Sequence, residues 1–202
     1  MILEHDGKTP RIHEGARIAP NAVICGDVVI GANASIGFGA VVTAESGPVR
    51  IGDNCVIMEN AVLRGVRNCP LRLGSNVLVG PHAYLSGCDV GDNVFIATGA
   101  SIFNGARIGE GAEVRINGIV HIKTVLEADA TVPIGWVAVG DPAQIFPSSE
   151  HERIWDIQKT LDFPRFVFGA DRPPPGTSMM PDVMRRYTRA LSRHAQDRIV
   201  AP

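Results

Sequence analysis

Residues 90–113 read VGDNVF IATGAS IFNGAR IGEGAE, four six-residue blocks that each open on an aliphatic residue: Val90, Ile96, Ile102 and Ile108. The fifth residue of each block is small: Val94, Ala100, Ala106 and Ala112. The beat extends downstream through Val114, Val120 and Leu126, and upstream through Val79, Leu73, Ile57, Ile51, Ile36, Ile30, Ile24, Ile18 and Ile12. In all sixteen hexads the residue four places after the beat is Ala, Val, Cys, Thr or Gly. Two insertions and one deletion interrupt the count, after Ile36, Ile57 and Val79. An internal period of this kind decides the architecture before any other feature is read.

Six is an even number, so alternate side chains along each block still point to opposite sides of an extended chain. Each hexad is then a short strand and a bend, with the aliphatic and the small residue turned inward. Gly and Asn near the ends of the blocks (IGANAS, IGDNCV, VGDNVF) tolerate the positive φ a tight corner needs. Three hexads per coil predict a triangular parallel β-helix over residues 12–147, in which each coil contacts only its neighbours. Residues 1–11 are expected to be a lead-in strand.

Composition agrees with such a fold. The 202 residues are 45% hydrophobic and only 5% aromatic, with 22 glycines, so the core must be made of small aliphatic side chains. A formal net charge of −2 argues against nucleic acid or an anionic lipid surface as partner. No stretch approaches ~18 consecutive apolar residues, so no membrane partner is expected. The cysteines Cys25, Cys55, Cys69 and Cys88 form no C-x-x-C pair, which suits reduced thiols in a cytoplasmic protein.

After the prolines at 142 and 147 the pattern changes. Ser149-x-x-Glu152 resembles a capping box, and Ile154, Ile157 and Leu161 recur at helical spacing before Pro164. These features predict a helix within 148–170 packed on the flank of the solenoid. Residues 171–181, DRPPPGTSMMP, read as a Pro-rich linker. A short basic helix is expected from about Asp182, with Met184, Tyr187 and Leu191 on its docked face and Arg185, Arg186, Arg189 and Arg193 elsewhere.

The runs IGDNCVIMENAVLRG, LSGCDVGDNVFIATGASI and VPIGWVAVGDPAQIF make the chain similar to hexapeptide-repeat proteins with a left-handed β-helix, and in particular to the gamma-class carbonic anhydrase-like group. The resemblance spans roughly residues 10–165. It implies left-handed winding, a homotrimer, and three histidines from neighbouring subunits holding a zinc-type ion that activates water. The three ligand places fall here on Arg64 (Val62-Leu63-Arg64), Pro81 (Val79-Gly80-Pro81) and Ser86 (Leu85-Ser86-Gly87). None is histidine. The arginine and aspartate of the group's V-R-x-D pattern become Thr43 and Glu45, and the glutamine of its I-Q-D pattern becomes Met58, followed by Glu59.

The expected site is therefore metal-free. Arg64, with Arg67 and Ser86, is expected to receive a small carboxylate-type anion in a cleft between subunits, with Glu45 and Glu59 as local counter-charges and His82 as acid–base partner. No cofactor is expected on this reading. Counting eighteen residues per coil, with allowance for the interruptions, places Cys25, Thr43, Arg64, Ser86, Phe103 and His121 on one vertical ladder. His121 then stands two rungs, roughly 10 Å, from Ser86. Three other readings stay open: an acyl-CoA-dependent acyltransferase with His82 as general base, a carbonic anhydrase rebuilt on His82, His121 and His13 with zinc, and a purely structural trimer.

Overall fold

The computed structural model describes residues 1–201, and the six-residue beat becomes a stack of triangular coils. Ile24, Val42, Leu63, Leu85, Ile102, Val120 and Ala138 lie in register, one per rung, on the first face. Ile18, Ile36, Ile57, Val79, Ile96, Val114 and Val132 do the same on another. Ile12, Ile30, Ile51, Leu73, Val90, Ile108 and Leu126 form the third. Every member of the first column is fully buried. At about 1.5–3 kcal/mol for each fully buried large aliphatic side chain, these columns are the main source of cohesion. The small residues of the repeat fill the corners, among them Ala34, Ala61 and Ala112 with no exposed surface.

Backbone hydrogen bonds join each coil to the next, such as Gly37 N–H to Ile57 O at 2.7 Å and Gly80 N–H to Ile96 O at 2.7 Å. The coils approach so closely after the beat that a Cβ at Gly52 would lie 2.4 Å from Gly74 O. Asn33, Asn54, Asn76 and Asn93 all adopt positive φ at one corner, and their amides bond one to the next up the stack at 3.0–3.3 Å. Asparagine serves there as both the turn residue and the vertical link.

All changes in repeat length fall at a single corner, the one that follows the first face. Between equivalent beats that corner takes nine residues from Val42 to Ile51, ten from Leu63 to Leu73 and five from Leu85 to Val90, against six elsewhere. The excess forms two loops, residues 44–48 and 65–70, beside Arg64.

The tail covers the first face. Helix α1, His151–Gln158, buries Ile154 against Val137, Val139 and Phe146, with Ile157 and Leu161 packed alongside. Its N-cap is Glu150 and no side chain caps it, so the expected Ser149/Glu152 box does not form; Ser149 lies one residue too early, and Glu150 pairs instead with Arg153. Helix α2, Met180–Leu191, carries Val183 fully buried. Its docked face differs from the expected one: Met184 and Leu191 are exposed at 47% and 45%, while Val183, Tyr187 and Ala190 face the solenoid or the cleft beneath it. A turn at Ser192–Gln196 leads to a closing strand, Arg198–Ala201, which pairs antiparallel with Ile2–Glu4. That N-terminal strand in turn lies parallel to residues 24 and 25 of the first coil. Among the described residues no helix is long and apolar enough to cross a membrane.

Candidate functional site

The register places Cys25, Thr43, Arg64 and Ser86 on successive rungs of the first face, and Phe103 and His121 continue the column. Each directly follows the inward beat residue of the first face, just ahead of the irregular corner. The two oversized loops therefore rise next to Arg64, and the tail closes over it. Between them lies a cavity of about 460 Å³.

Arg64 forms the floor of that cavity. Its guanidinium donates through Nη2 to Glu45 Oε2 and through Nη1 to the Tyr84 hydroxyl at 3.2 Å. Burial opposes the charged form, but the hydrogen bonds to Glu45 and Tyr84 more than offset it, and the guanidinium pKa is raised. It is thus a fixed cation, one quarter exposed. Arg67 lies on the 65–70 loop, whose backbone N–H donates to Ser46 Oγ at 2.9 Å; among the described residues its side chain has no ion-pair partner. Arg186 reaches in from α2, donating to Gly169 O at 3.0 Å and pairing with Asp182. Three arginines thus line the cavity against one carboxylate, Glu45. Ser86, nearly buried, is the cross-strand neighbour of Arg64.

The upper wall is aromatic. Phe163, Phe166 and Phe168 descend from the segment between the helices, Tyr187 from α2, and Tyr84 and Phe103 from the solenoid. Phe168 packs edge-on against Phe163 and Tyr187, with ring centroids 5.5 Å and 6.0 Å apart. Burial pushes the Tyr187 phenol pKa up, with Arg64 acting in the opposite direction. Of this wall the sequence reading contains Phe103, on the Arg64 ladder, and Tyr187, on a docked helix face. The available signal was compositional: three of the chain's seven phenylalanines fall within residues 163–168.

The other expected site residues lie elsewhere in the protomer. Glu59 and His82 sit at the corner preceding the first face, both exposed. His82 takes φ 58° in the column of Asn60, Gly99 and Asn117, and its N–H donates to Glu59 O at 3.0 Å. Four residues of extended chain, roughly 13 Å, separate that corner from the Arg64 rung. Within one chain, then, Glu45 alone is the counter-charge and His82 does not reach the cleft. Pro81 shares the His82 corner.

His121 is buried beneath α1, where its Nε2 meets Gln158 Nε2 at 2.6 Å and its Nδ1 has no partner. Burial lowers its pKa. His13 is exposed on a third corner near the N-terminal end, accepting from Gly15 N–H at 3.0 Å. One protomer therefore holds His82, His121 and His13 on separate parts of the solenoid.

The family of bacterial transferase hexapeptides (six repeats) matches residues 9–44, and the hexapeptide repeat of succinyl-transferase matches 27–64 and 70–104. Gamma carbonic anhydrase 1, mitochondrial, of Arabidopsis thaliana is 30% identical over 159 residues, covering 76% of this chain and 56% of that protein. The chain thus spans just over half the length of that relative. Carnitine operon protein CaiE of Escherichia coli is 30% identical over 163 residues, 80% of each chain. A putative acetyltransferase of Bacillus cereus superposes with a TM-score of 0.56 at 29% identity, over 79% of this chain and 90% of that one. The repeat carries with it left-handed winding of the coils. On these likenesses and on the stacked hexads, the chain belongs to the hexapeptide-repeat transferase family, as a gamma-carbonic-anhydrase-like protein.

Proposed function

We propose that this protein is a gamma-carbonic-anhydrase-like homotrimer that has exchanged a metal centre for a cationic cleft, and that the cleft binds a small carboxylate. The observation that carries this reading is the lining: Arg64, Arg67 and Arg186 against Glu45 alone. The places of the family's three histidines hold a guanidinium, a proline and a serine hydroxyl, at Arg64, Pro81 and Ser86. A guanidinium has five N–H donors and no acceptor, so this set does not fit a divalent ion. An incoming carboxylate instead meets the guanidinium groups of Arg64 and Arg67, a pairing that is short, charge-assisted and often bidentate. The aromatic wall gives an apolar body attached to that carboxylate a place to lie.

The trimer is supported by surface left bare in one chain. Val56 and Phe95 are 40% and 42% exposed on one face, with Leu78 between them in register, and Ile134 is 63% exposed at the neighbouring corner. Light scattering on the purified protein is expected to give three times the 21.5 kDa chain mass; a monomer would remove the subunit boundary from the proposal. The four cysteines are free thiols, which suits a reducing compartment such as the cytoplasm.

The ligand test is a thermal-shift series with formate, acetate, benzoate and acetyl-CoA on the wild type and on Arg64→Gln. A ligand that binds only the folded state raises the melting temperature, by an amount that grows with the logarithm of its concentration relative to Kd. The reading expects a shift with a monocarboxylate that Arg64→Gln weakens by roughly 10–100-fold in concentration, the worth of about 1.5–3 kcal/mol for a hydrogen bond to a charged group. No shift with any carboxylate would discard it. A shift with acetyl-CoA alone, abolished in His82→Asn, would favour the second reading. The likeness to the putative acetyltransferase supports that alternative, with His82 taking the proton from an acceptor hydroxyl or amine as the thioester is attacked.

A further inference from the structure

The N- and C-terminal ends of the chain meet below the cleft, and four chemically distinctive side chains meet there with them. His5 follows the N-terminal strand, Cys25 begins the ladder that leads to Arg64, and His194 and Asp197 flank the end of the last turn before the closing strand. The His5 Nδ1 lies 2.6 Å from Asp197 Oδ1, and the His194 Nδ1 lies 2.7 Å from Asp197 Oδ2. The two imidazoles stack with centroids 4.2 Å apart. Cys25 Sγ donates to Asp197 Oδ2 at 3.6 Å. One potential ligand atom from each of the four residues lies within 4.8 Å of all the others. His5 and Cys25 are only 4% and 3% exposed.

We infer that His5, Cys25, His194 and Asp197 form a closed, four-coordinate site for a divalent transition ion of the zinc class, which fastens the tail to the first coil. Two imidazoles, a thiolate and a carboxylate are the donor types zinc takes in tetrahedral sites. Ligands held about 2.0–2.3 Å from the ion stand roughly 3.3–3.8 Å from one another, so the widest separation in the present cluster must close by about 1 Å while Asp197 draws back from the two imidazoles by about 0.6 Å. Four protein ligands leave no position for water, which makes the site structural. Coordination replaces the Cys25 S–H bond by a metal–thiolate bond and releases that proton to solvent. Asp197 gives up part of its hydrogen bonding to the histidines for direct ligation.

The cluster sits at the strategic point of the tail. The closing strand pairs with Ile2–Glu4, Arg198 makes a two-pronged ion pair with Glu4 at 2.7 and 2.8 Å, and Arg193 pairs with Asp6. These are surface contacts of small individual worth. An ion ligated from both chain ends and from the solenoid fixes the C-terminal end of α2, and with it the roof of the cavity formed by Arg186, Tyr187 and Ala190. The site lies two rungs from Arg64, roughly 10 Å, and the inference stands independently of what the cleft binds.

The test uses untagged full-length protein, stripped with chelator and titrated with zinc against a chromophoric competitor, then with cobalt(II). The expected result is one ion per chain, a thiolate-to-cobalt charge-transfer band, and slower proteolysis after residue 170 when zinc is present. Cys25→Ser is expected to abolish the band. His194→Ala, in the tail and outside the solenoid core, is expected to weaken zinc binding by more than the roughly 10–100-fold typical of losing a supporting residue, with the circular dichroism of the β-helix unchanged. His82→Asn and His121→Asn are expected to keep full affinity. Failure of the wild type to compete for zinc overturns the inference. Zinc retained with equal affinity by both cluster variants overturns it as well, because the ion then resides elsewhere.

Discussion

Leu63 and Val183 are both fully buried, yet they are held by different kinds of structure. Leu63 has a partner in register above and below, Leu85 and Val42, and each of those has another beyond it. Its burial is repeated rung after rung, so losing it disturbs a cooperative stack. Val183 is the single fully buried residue of α2, a helix tied to the rest by aromatic packing, the Arg186 hydrogen bond to Gly169 O and the cluster at the chain ends. The contrast teaches that equal burial does not mean equal consequence. The solenoid spreads its stability over identical neighbours, whereas the tail depends on a few unlike contacts, and the cavity is built where the two meet.

The largest effect that would sharpen this contrast is expected from Leu63→Ala. Removing a buried leucine side chain costs about 2–5 kcal/mol, and the whole β-helix should respond in one transition followed by circular dichroism. Val183→Ala removes two methyl groups, about 1.6 kcal/mol at the usual worth of a buried carbon. Its loss should appear as faster proteolysis beyond residue 170 with the main transition nearly unmoved. If Val183→Ala lowered the main transition as much as Leu63→Ala does, tail and solenoid would be one cooperative unit and the contrast would fail.

A smaller effect concerns the seam between the two regions, where α1 covers His121. Burial lowers the His121 pKa in the folded state, so the unfolded chain binds the proton more readily. The stability this contributes is complete above the unfolded value, about 6.5, and is lost as pH falls through the lower folded value. The wild type should therefore lose melting temperature more steeply below about pH 6.5 than His121→Asn. Parallel profiles for the two proteins would show that the imidazole is not held neutral under α1. The smallest effect is expected at the far corner: His82→Asn puts a residue well suited to positive φ into that turn, should change stability by less than about 0.5 kcal/mol, and should leave carboxylate binding intact.

The solenoid was legible because its information is redundant. Sixteen repetitions of one rule specify the three faces, and counting eighteen residues per coil suffices to bring Arg64 beside Ser86 and Thr43, as the register does. The location of the cleft was less so. Glu45 could be placed beside Arg64 because both adjoin the irregular corner, whereas Glu59 and His82 precede their strands and emerge at its other end. The tail defeated pattern reading for a physical reason: its helices are short, and tertiary contacts decide which face is buried. Met184 and Leu191 make an apparent docking stripe in the sequence, but the chain buries Val183 and turns Tyr187 inward, where Phe168 packs against its ring. The His5, Cys25, His194 and Asp197 cluster joins residues up to 192 positions apart, a distance that no spacing motif encodes.

The account rests most heavily on what occupies the space beside Arg64. A crystal grown with excess acetate, and a second grown with benzoate, would answer directly through electron density in the cavity under α2. The account predicts a carboxylate paired to the Arg64 guanidinium, with Arg67 drawn toward it and the attached group against the aromatic wall. A cavity filled only with water while Arg64 stays bound to Glu45, or a metal ion held there by histidines of adjoining subunits, would contradict it.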